Sequence, residues 1–388
     1  NVFNGAGAMS RILSIMHALQ PKYRIKVLIL LSANRIFKLL LNSDFRNTYF
    51  RVLRLQDITF LPVFAPLFSL YKLDLMLIKF YDSFINIKNS IIQCETEIPS
   101  FYSKALKNKN NKIIFDKHGL IAEETELKWG KKNYFARKRL KQIKYIENLA
   151  NKNSDLMICV SKVFKEVMVK KYDYHNEIRV LPMLINPRKF SFNLEARNSI
   201  RTKLGLNKKL VIAYSGSIAK YQKFESMVLF FKRLNSLDPK STFLILSQPQ
   251  FNKKIINILI GNNLSEASFI IKNLEFNQVS DYLSASDIGL LFRDDILLNN
   301  VSSPTKLLEY LAAGVYPIIS PNIGDSIDLI TDLSYGSVIN DLNSDKIIAK
   351  IIKDYHSEKY RRRYVSLKVR SKYDWHSYLK NMDEIYAQ

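Results

Sequence analysis

The chain alternates short apolar runs with longer stretches whose apolar positions recur every three or four residues. The short runs contain few polar residues, as is typical of strands buried on both faces of a parallel sheet. In the first half we expect strands at residues 25–31, 49–53, 91–95, 112–116, 156–160 and 178–181. In the second half we expect them at 210–215, 242–247, 268–271, 288–292, 315–320 and 337–339. Strands that alternate with amphipathic helices predict an α/β fold.

The alternation pauses near Pro182, where the sequence becomes rich in turn-forming residues. Pro187 disfavours helix at Asn186, because a proline restricts the residue before it. We therefore predict two domains, residues 1–184 and residues 185–370, each a doubly wound, Rossmann-like parallel sheet. Ligands of such sheets bind beyond the carboxyl ends of the strands, so we expect the site in a cleft between two facing domains.

A glycine-bearing turn opens the chain, with Gly5 and Gly7 ahead of a helical pattern. In a βαβ unit such a turn follows a strand. We therefore expect a first strand to precede this turn in the complete domain.

The charge is strongly positive and unevenly distributed. Lys and Arg number 59 and Asp and Glu 35, for a formal net charge of +24. Residues 1–190 carry 33 basic and 15 acidic side chains, a net of +18, which leaves +6 for residues 191–388. Nucleic acid, an anionic membrane surface and an anionic small substrate are the competing explanations. The densest run, from Lys128 to Lys144, is by itself explained equally well by a solvated helix face.

No segment reaches the roughly 20 apolar residues that a membrane span requires. The closest, residues 58–80, is interrupted by Pro62, Pro66, Lys72 and Asp74. We expect a buried helix there, and the alternative is a helix lying in a membrane interface. No signal-peptide pattern is present, and two cysteines are too few for a disulfide framework. A cytoplasmic location follows as an expectation, with a peripheral position on the inner face of the plasma membrane as its extension.

The strongest motif begins at Ser302. Either Ser302 or Ser303 is expected to cap a helix, with Pro304 at its first position. Free backbone N–H groups at a helix N-terminus bind anions, and Lys306 in the first turn adds a full charge. Lysine there opposes the helix dipole, so a phosphate explains it better than helix stability does. Glu309 lies on the same face and suits two ribose hydroxyls, whereas a capped helix with a surface Lys–Glu pair is the plain alternative.

A second candidate site is the turn that follows the strand at 210–215. Gly216 allows the backbone to approach a phosphate closely. Lys220 and Lys223 follow at the start of the next helix. An ordinary strand–helix turn is the alternative, which a single glycine does not exclude.

A third candidate is His118, which follows a first-domain strand and precedes Gly119. Its position at the carboxyl end of a strand favours a site residue over a purely structural histidine. No spacing of His, Asp or Glu predicts a metal centre.

Together these strings resemble the GT-B glycosyltransferases, most closely the retaining family 4 (glycosyltransferase group 1). The matching segments occur in the family's order, at residues 5–11, 116–119, 153–161, 179–190, 214–217 and 303–314. The last segment is the most specific, and the ordered set covers nearly the whole chain.

The resemblance implies a nucleoside-diphosphate sugar donor held mainly by the second domain, without a metal or other cofactor. It implies a saccharide or lipid-linked saccharide acceptor on the first domain, in cell-surface polysaccharide synthesis. Glu309 corresponds to the ribose-binding glutamate and His118 to a histidine near the transferred sugar. The implied catalytic residues are His118, Lys306 and Glu309. The implied donor contacts are Gly5, Gly7, Gly216, Ser217, Lys220, Lys223, Ser303, Pro304 and Thr305. Residues 371–388 resemble the segment that crosses back onto the first domain.

Two positions depart from the family pattern. Val301 stands where the family often has a glutamate, which leaves the donor sugar open. Ser217 stands where an arginine usually follows the glycine. The family's lysine corresponds in position to Lys223, and Lys220 is the alternative residue for the same role.

Three functional hypotheses remain at this point. The first is metal-independent, retaining transfer by front-face attack, as the resemblance implies. The second is an epimerase or phosphorylase of the same fold. The third is a basic nucleic-acid-binding protein, which the sequence disfavours because it contains no RNP1 string, zinc finger or reader helix.

Overall fold

The computed structural model describes residues 6–32, 58–64, 71–85, 87–107, 110–130, 133–375, 382 and 384–386. It divides into two compact units, Asn1–Pro182 with Leu379–Gln388, and Met183–Tyr378. Every predicted strand within the described residues is present, with its ends shifted by at most two residues. The predicted strand at 49–53 lies outside the described residues. The α/β prediction is therefore confirmed.

The described part of the first unit contains two parallel sheets. A two-stranded sheet pairs β1 (Val27–Ser32) with β2 (Ile58–Val63). A four-stranded sheet has the order β3 (Ile91–Glu95), β4 (Lys112–Lys117), β5 (Leu156–Cys159) and β6 (Glu177–Val180). The described helices are α1 (Ala6–Leu19), α2 (Tyr71–Ile85), α3 (Glu97–Tyr102), α4 (Ile121–Trp129), α5 (Tyr134–Asn153) and α6 (Lys162–Tyr172). In β4 the side chains of Ile113, Ile114 and Phe115 are fully buried, as expected of an inner strand.

The prediction of one buried helix over residues 58–80 was wrong. The segment begins with β2 and continues, after residues outside the description, into α2. Pro62 is compatible with β2 because, among the described residues, β2 pairs with β1 alone, and an edge strand tolerates a missing N–H. Asp74 is fully buried in α2, where it accepts hydrogen bonds from Phe64 N at 2.6 Å and from the Tyr102 hydroxyl.

The second unit is a six-stranded parallel sheet with the strand order β12-β11-β10-β7-β8-β9. The strands are β7 (Val211–Ser215), β8 (Thr242–Leu246), β9 (Phe269–Lys272), β10 (Ile288–Leu291), β11 (Tyr316–Ile319) and β12 (Ser337–Val338). The helices are α7 (Leu194–Lys203), α8 (Phe224–Leu237), α9 (Asn252–Gly261), α10 (Val279–Ser284), α11 (Leu297–Asn300), α12 (Thr305–Ala312), α13 (Ser326–Leu333), α14 (Asp345–Glu358) and α15 (Arg362–Lys372). The chain order reverses between β7 and β10, so the switch point of a doubly wound sheet lies there.

The amino-terminal edge of this sheet is organised around the buried carboxylate of Asp287. It accepts hydrogen bonds from Val211 N at 2.8 Å, from Arg201 Nη1 at 3.1 Å and from Arg362 Nη2 at 2.6 Å. Buried charges require such partners to offset their lost hydration. The cluster anchors β7 and β10 at one end and leaves their carboxyl ends to form a site.

Within the described residues, no helix combines the length and apolar character needed to cross a membrane.

Candidate active site

The carboxyl ends of β7 and β10 bring a turn and an arginine to the switch point of the second unit. Ser215 ends β7 and is followed by Gly216, while Arg293 comes two residues after β10. Helix α12 begins at Thr305 and carries Lys306 in its first turn. Because doubly wound sheets bind ligands at this position, these residues define the candidate site.

Lys306 reaches from α12 to the end of β7. Its Nζ donates to Gln222 Oε1 at 3.1 Å and to Tyr214 Oη at 3.2 Å. The ammonium also lies 4.7 Å from the centre of the Tyr214 ring, within the range of a cation–π contact. The Tyr214 hydroxyl in turn donates to the carbonyl of Ser217. Lys306 is therefore held over the glycine turn, and it does not project freely from its helix.

Gly216 provides the space that Lys306 occupies. A Cβ atom placed on Gly216 would come within 2.4 Å of Lys306 Cε and 2.5 Å of Lys306 Nζ. The φ angle of Gly216 is +132°, a conformation that other residues rarely adopt. Its carbonyl accepts a hydrogen bond from Ser247 Oγ at 2.8 Å. The glycine was predicted to admit a phosphate, and the structure adds that it admits the lysine side chain.

The predicted serine cap of α12 was wrong. Pro304 occupies the N-cap position, and no side chain caps the helix. Ser303 Oγ accepts from Met183 N at 3.2 Å, while Ser302 Oγ donates to Asn299 O at 2.7 Å. The serines thus fix the loop ahead of the helix. Leu307 N donates to the carbonyl of Pro304 at 3.2 Å. Without a side-chain cap, the N–H groups of Thr305 and Lys306 remain available to an anion.

The charged side chains of this site are Lys306, Arg293 and Glu309. Burial and the charge of Arg293 lower the pKa of Lys306 to about 7, against the opposing effect of Glu309. Burial raises the pKa of Glu309 to about 7 despite the charge of Lys306. Burial also lowers the pKa of Arg293. An anion placed between Lys306 and Arg293 would relieve their repulsion, so the electrostatics favour a negatively charged ligand.

Arg293 is a site residue that the sequence analysis missed. Its Nη1 donates to Ser302 Oγ at 3.0 Å, and its buried Nε has no hydrogen-bond partner among the described residues. The signal was present in the sequence, because Arg293 follows the apolar strand β10 at its carboxyl end. Gln222, which is buried beside Lys306, was missed as well.

The predicted donor residues are only partly brought together. Gly216, Ser217, Ser303, Pro304, Thr305, Lys306 and Glu309 belong to the glycine turn or to the start of α12. Lys223 precedes α8 with a φ of +45°, and its Nζ lies 3.6 Å from Asp294 Oδ1. The side chain of Lys220 and all of Gly5 lie outside the description. Gly7 lies within α1 rather than in a loop.

His118 belongs to a charged cluster in the first unit. Its Nε2 lies 2.9 Å from Glu95 Oε2 and 3.6 Å from Asp116 Oδ2. Arg11 binds Asp116 through two hydrogen bonds, Nε to Oδ2 at 2.8 Å and Nη2 to Oδ1 at 3.0 Å. The predicted position of His118 directly after β4 is confirmed.

This cluster is balanced in charge. Burial alone would lower the pKa of His118, but Asp116 and Glu95 outweigh it and raise the pKa to about 10. Arg11 and His118 outweigh the burial of Asp116 and hold the pKa of that carboxyl well below its usual range. The ligand atoms of Glu95, Asp116 and His118 lie within 4.8 Å of one another, a spacing that a metal ion would fit. Two cations already neutralise the two carboxylates, however, so the group is an ion-pair network.

One family model matches the sequence, and the match lies within the second unit. Residues 196–367 match the family model described as glycosyl transferases group 1. No curated protein matches the sequence at a significant level.

Several solved structures have a similar fold. HepE from Anabaena in complex with UDP has a TM-score of 0.69 and 14% identity, over 98% of this chain and 96% of that one. Sucrose-phosphate synthase from Thermosynechococcus elongatus has a TM-score of 0.61 and 16% identity, over 84% and 80%. WaaG, a glycosyltransferase involved in lipopolysaccharide biosynthesis, has a TM-score of 0.55 and 16% identity, over 74% and 80%.

These similar structures show that the chain has the GT-B fold, with two Rossmann-like units. The match to the group 1 family model lies within the second unit.

Proposed function

We propose that this enzyme transfers a sugar, with retention, from a nucleoside diphosphate to a saccharide or lipid-linked saccharide in cell-surface polysaccharide synthesis. The observation that carries the proposal is that two basic side chains lie at the start of α12, with Lys306 in its first turn and Arg293 bonded to Ser302 in the loop ahead of it. Two cations beside free N–H groups suit a diphosphate. HepE was solved with UDP and with UDP-glucose, which supports uridine nucleotides as the first donors to test.

The proposed chemistry follows the charge. The bond from the anomeric carbon to the β-phosphate oxygen breaks, and negative charge develops on the departing phosphate. Lys306, Arg293 and the first N–H groups of α12 stabilise that charge, and Lys220 or Lys223 supplies a further positive charge. The acceptor hydroxyl forms the new bond on the same face and gives its proton to the departing phosphate. This scheme requires neither an enzyme nucleophile nor a metal ion.

Two other residues have proposed roles in positioning the donor. Glu309 accepts hydrogen bonds from the ribose hydroxyls, and its ionised form offers both carboxylate oxygens as acceptors. His118 positions the transferred sugar, and its imidazolium form makes it a hydrogen-bond donor at neutral pH rather than a base.

The proposal also includes the class of acceptor and the cellular location of the enzyme. The relative WaaG acts in lipopolysaccharide biosynthesis, which supports a lipid-linked saccharide as acceptor. The net charge of +18 in residues 1–190 supports a cytoplasmic enzyme that works at the anionic inner surface of the plasma membrane.

A panel of radiolabelled nucleoside-diphosphate sugars tests the activity. Wild-type protein should hydrolyse or transfer at least one sugar, while Lys306→Ala and Glu309→Ala should lower kcat/KM about 10²- to 10³-fold. The exposed residues Lys240 and Glu225 provide matched controls, and their alanine variants should retain activity. Near wild-type turnover in both site variants would overturn the assignment. Formation of an epimeric nucleotide sugar, or strict dependence on inorganic phosphate, would replace it with an epimerase or a phosphorylase.

A further inference from the structure

Helix α2 of the first unit has an exposed apolar stripe. Its members are Leu73, Met76, Phe80 and Phe84, whose exposed fractions are 41%, 67%, 60% and 71%. The spacings of three, four and four residues place all four on one side of the helix. Along the helix axis the stripe extends over about 16 Å, at roughly 1.5 Å per residue. The rings of Phe80 and Phe84 contact each other edge to face, with their centres 5.0 Å apart.

The opposite side of α2 attaches the helix to the protein. Ile78 is 2% exposed and Asp74 is fully buried. The Asp74 carboxylate accepts hydrogen bonds from Phe64 N and from the Tyr102 hydroxyl. Asp82 accepts a hydrogen bond from Ile87 N at 3.2 Å. These contacts fix the rotation of the helix, so the stripe cannot turn inward without breaking a buried hydrogen-bonded carboxylate.

The exposed side is also positively charged. Lys72 and Lys79 are exposed and lie at one edge of the stripe, next to Met76 at about 100° per residue. Asp74 and Asp82, the acidic residues of α2, lie on the side that bonds the protein. An apolar stripe bordered by lysines and free of carboxylates is complementary to lipid tails below an anionic headgroup layer.

We propose that α2 docks the first unit on an anionic membrane, with the stripe among the acyl chains and the two lysines on lipid phosphates. The inference deepens the membrane part of the proposed function and rests on it. An interfacial helix of this kind inserts about 5–10 Å, which is within the reach of the phenylalanine and methionine side chains.

Vesicle flotation of the full chain tests the proposal without any sugar donor. The protein should float with vesicles of phosphatidylcholine and phosphatidylglycerol at low salt, and much less with phosphatidylcholine alone. The double variant Phe80→Ser/Phe84→Ser should lower the partition coefficient at least about tenfold, because both rings lose apolar area in the membrane. Lys72→Gln/Lys79→Gln should lower it about fivefold per lysine.

The second unit offers matched controls. Leu229→Ser/Ile260→Ser removes two apolar side chains of 47% and 50% exposure, and Lys253→Gln/Lys254→Gln removes two exposed lysines. Both should float like wild type. Equal flotation of the Phe80→Ser/Phe84→Ser variant and wild type overturns the proposal, as does absence of wild-type flotation. A wild-type dimer that the same variant dissociates, without vesicle binding, would assign the stripe to a second copy and also overturn it.

Donor hydrolysis in solution separates the two proposals. All four variants should hydrolyse the donor like wild type, because none of the exchanged residues of α2, α8 and α9 belongs to the candidate donor site. Flotation without any donor hydrolysis would contradict the proposed function and would still support α2 as a membrane-docking surface.

Discussion

The side chain of Lys306 occupies the space that a side chain at Gly216 would need. A Cβ atom placed on Gly216 would lie only 2.4 Å from Lys306 Cε. The position of Lys306 on α12 therefore depends on a glycine in the turn after β7. The cation is held over the turn by Gln222 and Tyr214.

Gly216→Ala should displace the lysine from the site. A methyl group at 2.4 Å from Lys306 Cε forces the end of the lysine side chain to move, and the φ of +132° adds strain. We expect kcat/KM for the donor to fall about 10²-fold, as for loss of a charged contact in the transition state. Gly261→Ala is the control, because a Cβ there meets nothing within 4 Å. Wild-type kinetics in Gly216→Ala would show that the position of Lys306 is immaterial.

Arg293→Gln should weaken binding of UDP about 10- to 100-fold by calorimetry, the range of a hydrogen bond to a charged group. Adding Ser217→Arg to this variant should recover part of the affinity, because it returns an arginine to the glycine turn. The control is Arg363→Gln, an exposed position on α15. Unchanged affinity in Arg293→Gln would remove the arginine from the site.

Donor binding should be coupled to proton uptake by the protein above neutral pH and to proton release below it. At pH 8 the Lys306 amine, with its pKa lowered to about 7, is mostly uncharged. A bound diphosphate favours the charged form, so binding takes up about one proton. At pH 6 Glu309, with its pKa raised to about 7, is mostly protonated, and ribose hydroxyls should expel that proton.

Calorimetry of UDP in two buffers of different ionisation heat measures this exchange. Lys306→Arg should abolish the uptake at pH 8, and Glu309→Gln should abolish the release at pH 6. The difference from wild type cancels the titration of UDP itself. The same proton count in all three proteins at both pH values would contradict the assignment.

Lys117→Ala should destabilise the first unit. Lys117 is fully buried, and its Nζ binds Glu97 Oε1 at 3.0 Å and Glu147 Oε1 at 2.8 Å. Removing it leaves two buried carboxylates without a cation, which costs about 3–5 kcal/mol in the free energy of unfolding. Lys107→Ala, whose lysine pairs with Asp155 at the surface, should cost less than about 1 kcal/mol. Urea denaturation of the two variants gives the comparison, and equal midpoints would refute the difference.

Local pattern predicted most of the fold because buried parallel strands are short, apolar and separated by helical periods. It failed at residues 58–80, where an apolar run with two prolines and a buried aspartate fits either a helix or a strand followed by a helix. The deciding contacts are to residues distant in sequence. Asp74, for example, is stabilised by the hydroxyl of Tyr102.

The candidate site divides in the same way. Lys306 and Glu309 share one helical turn, so their proximity was readable from the sequence. Gln222 joins Lys306 only because β7 and β10 are neighbours in the sheet, which no local pattern specifies. Arg293 reaches the site through the loop between β10 and α12, where its Nη1 donates to Ser302 Oγ at 3.0 Å.

The sequence by itself determined the α/β class, nearly all of the described strands, the separation of charge between the two halves and the motif around Lys306. Each of these depends on periodicity or on residues close together in the chain. Only the tertiary structure decided that Lys306 lies across Gly216, that Arg293 shares its site, and that α2 turns its apolar stripe outward. These features depend on which elements pack together, since burial and charge pairing are properties of neighbours in space.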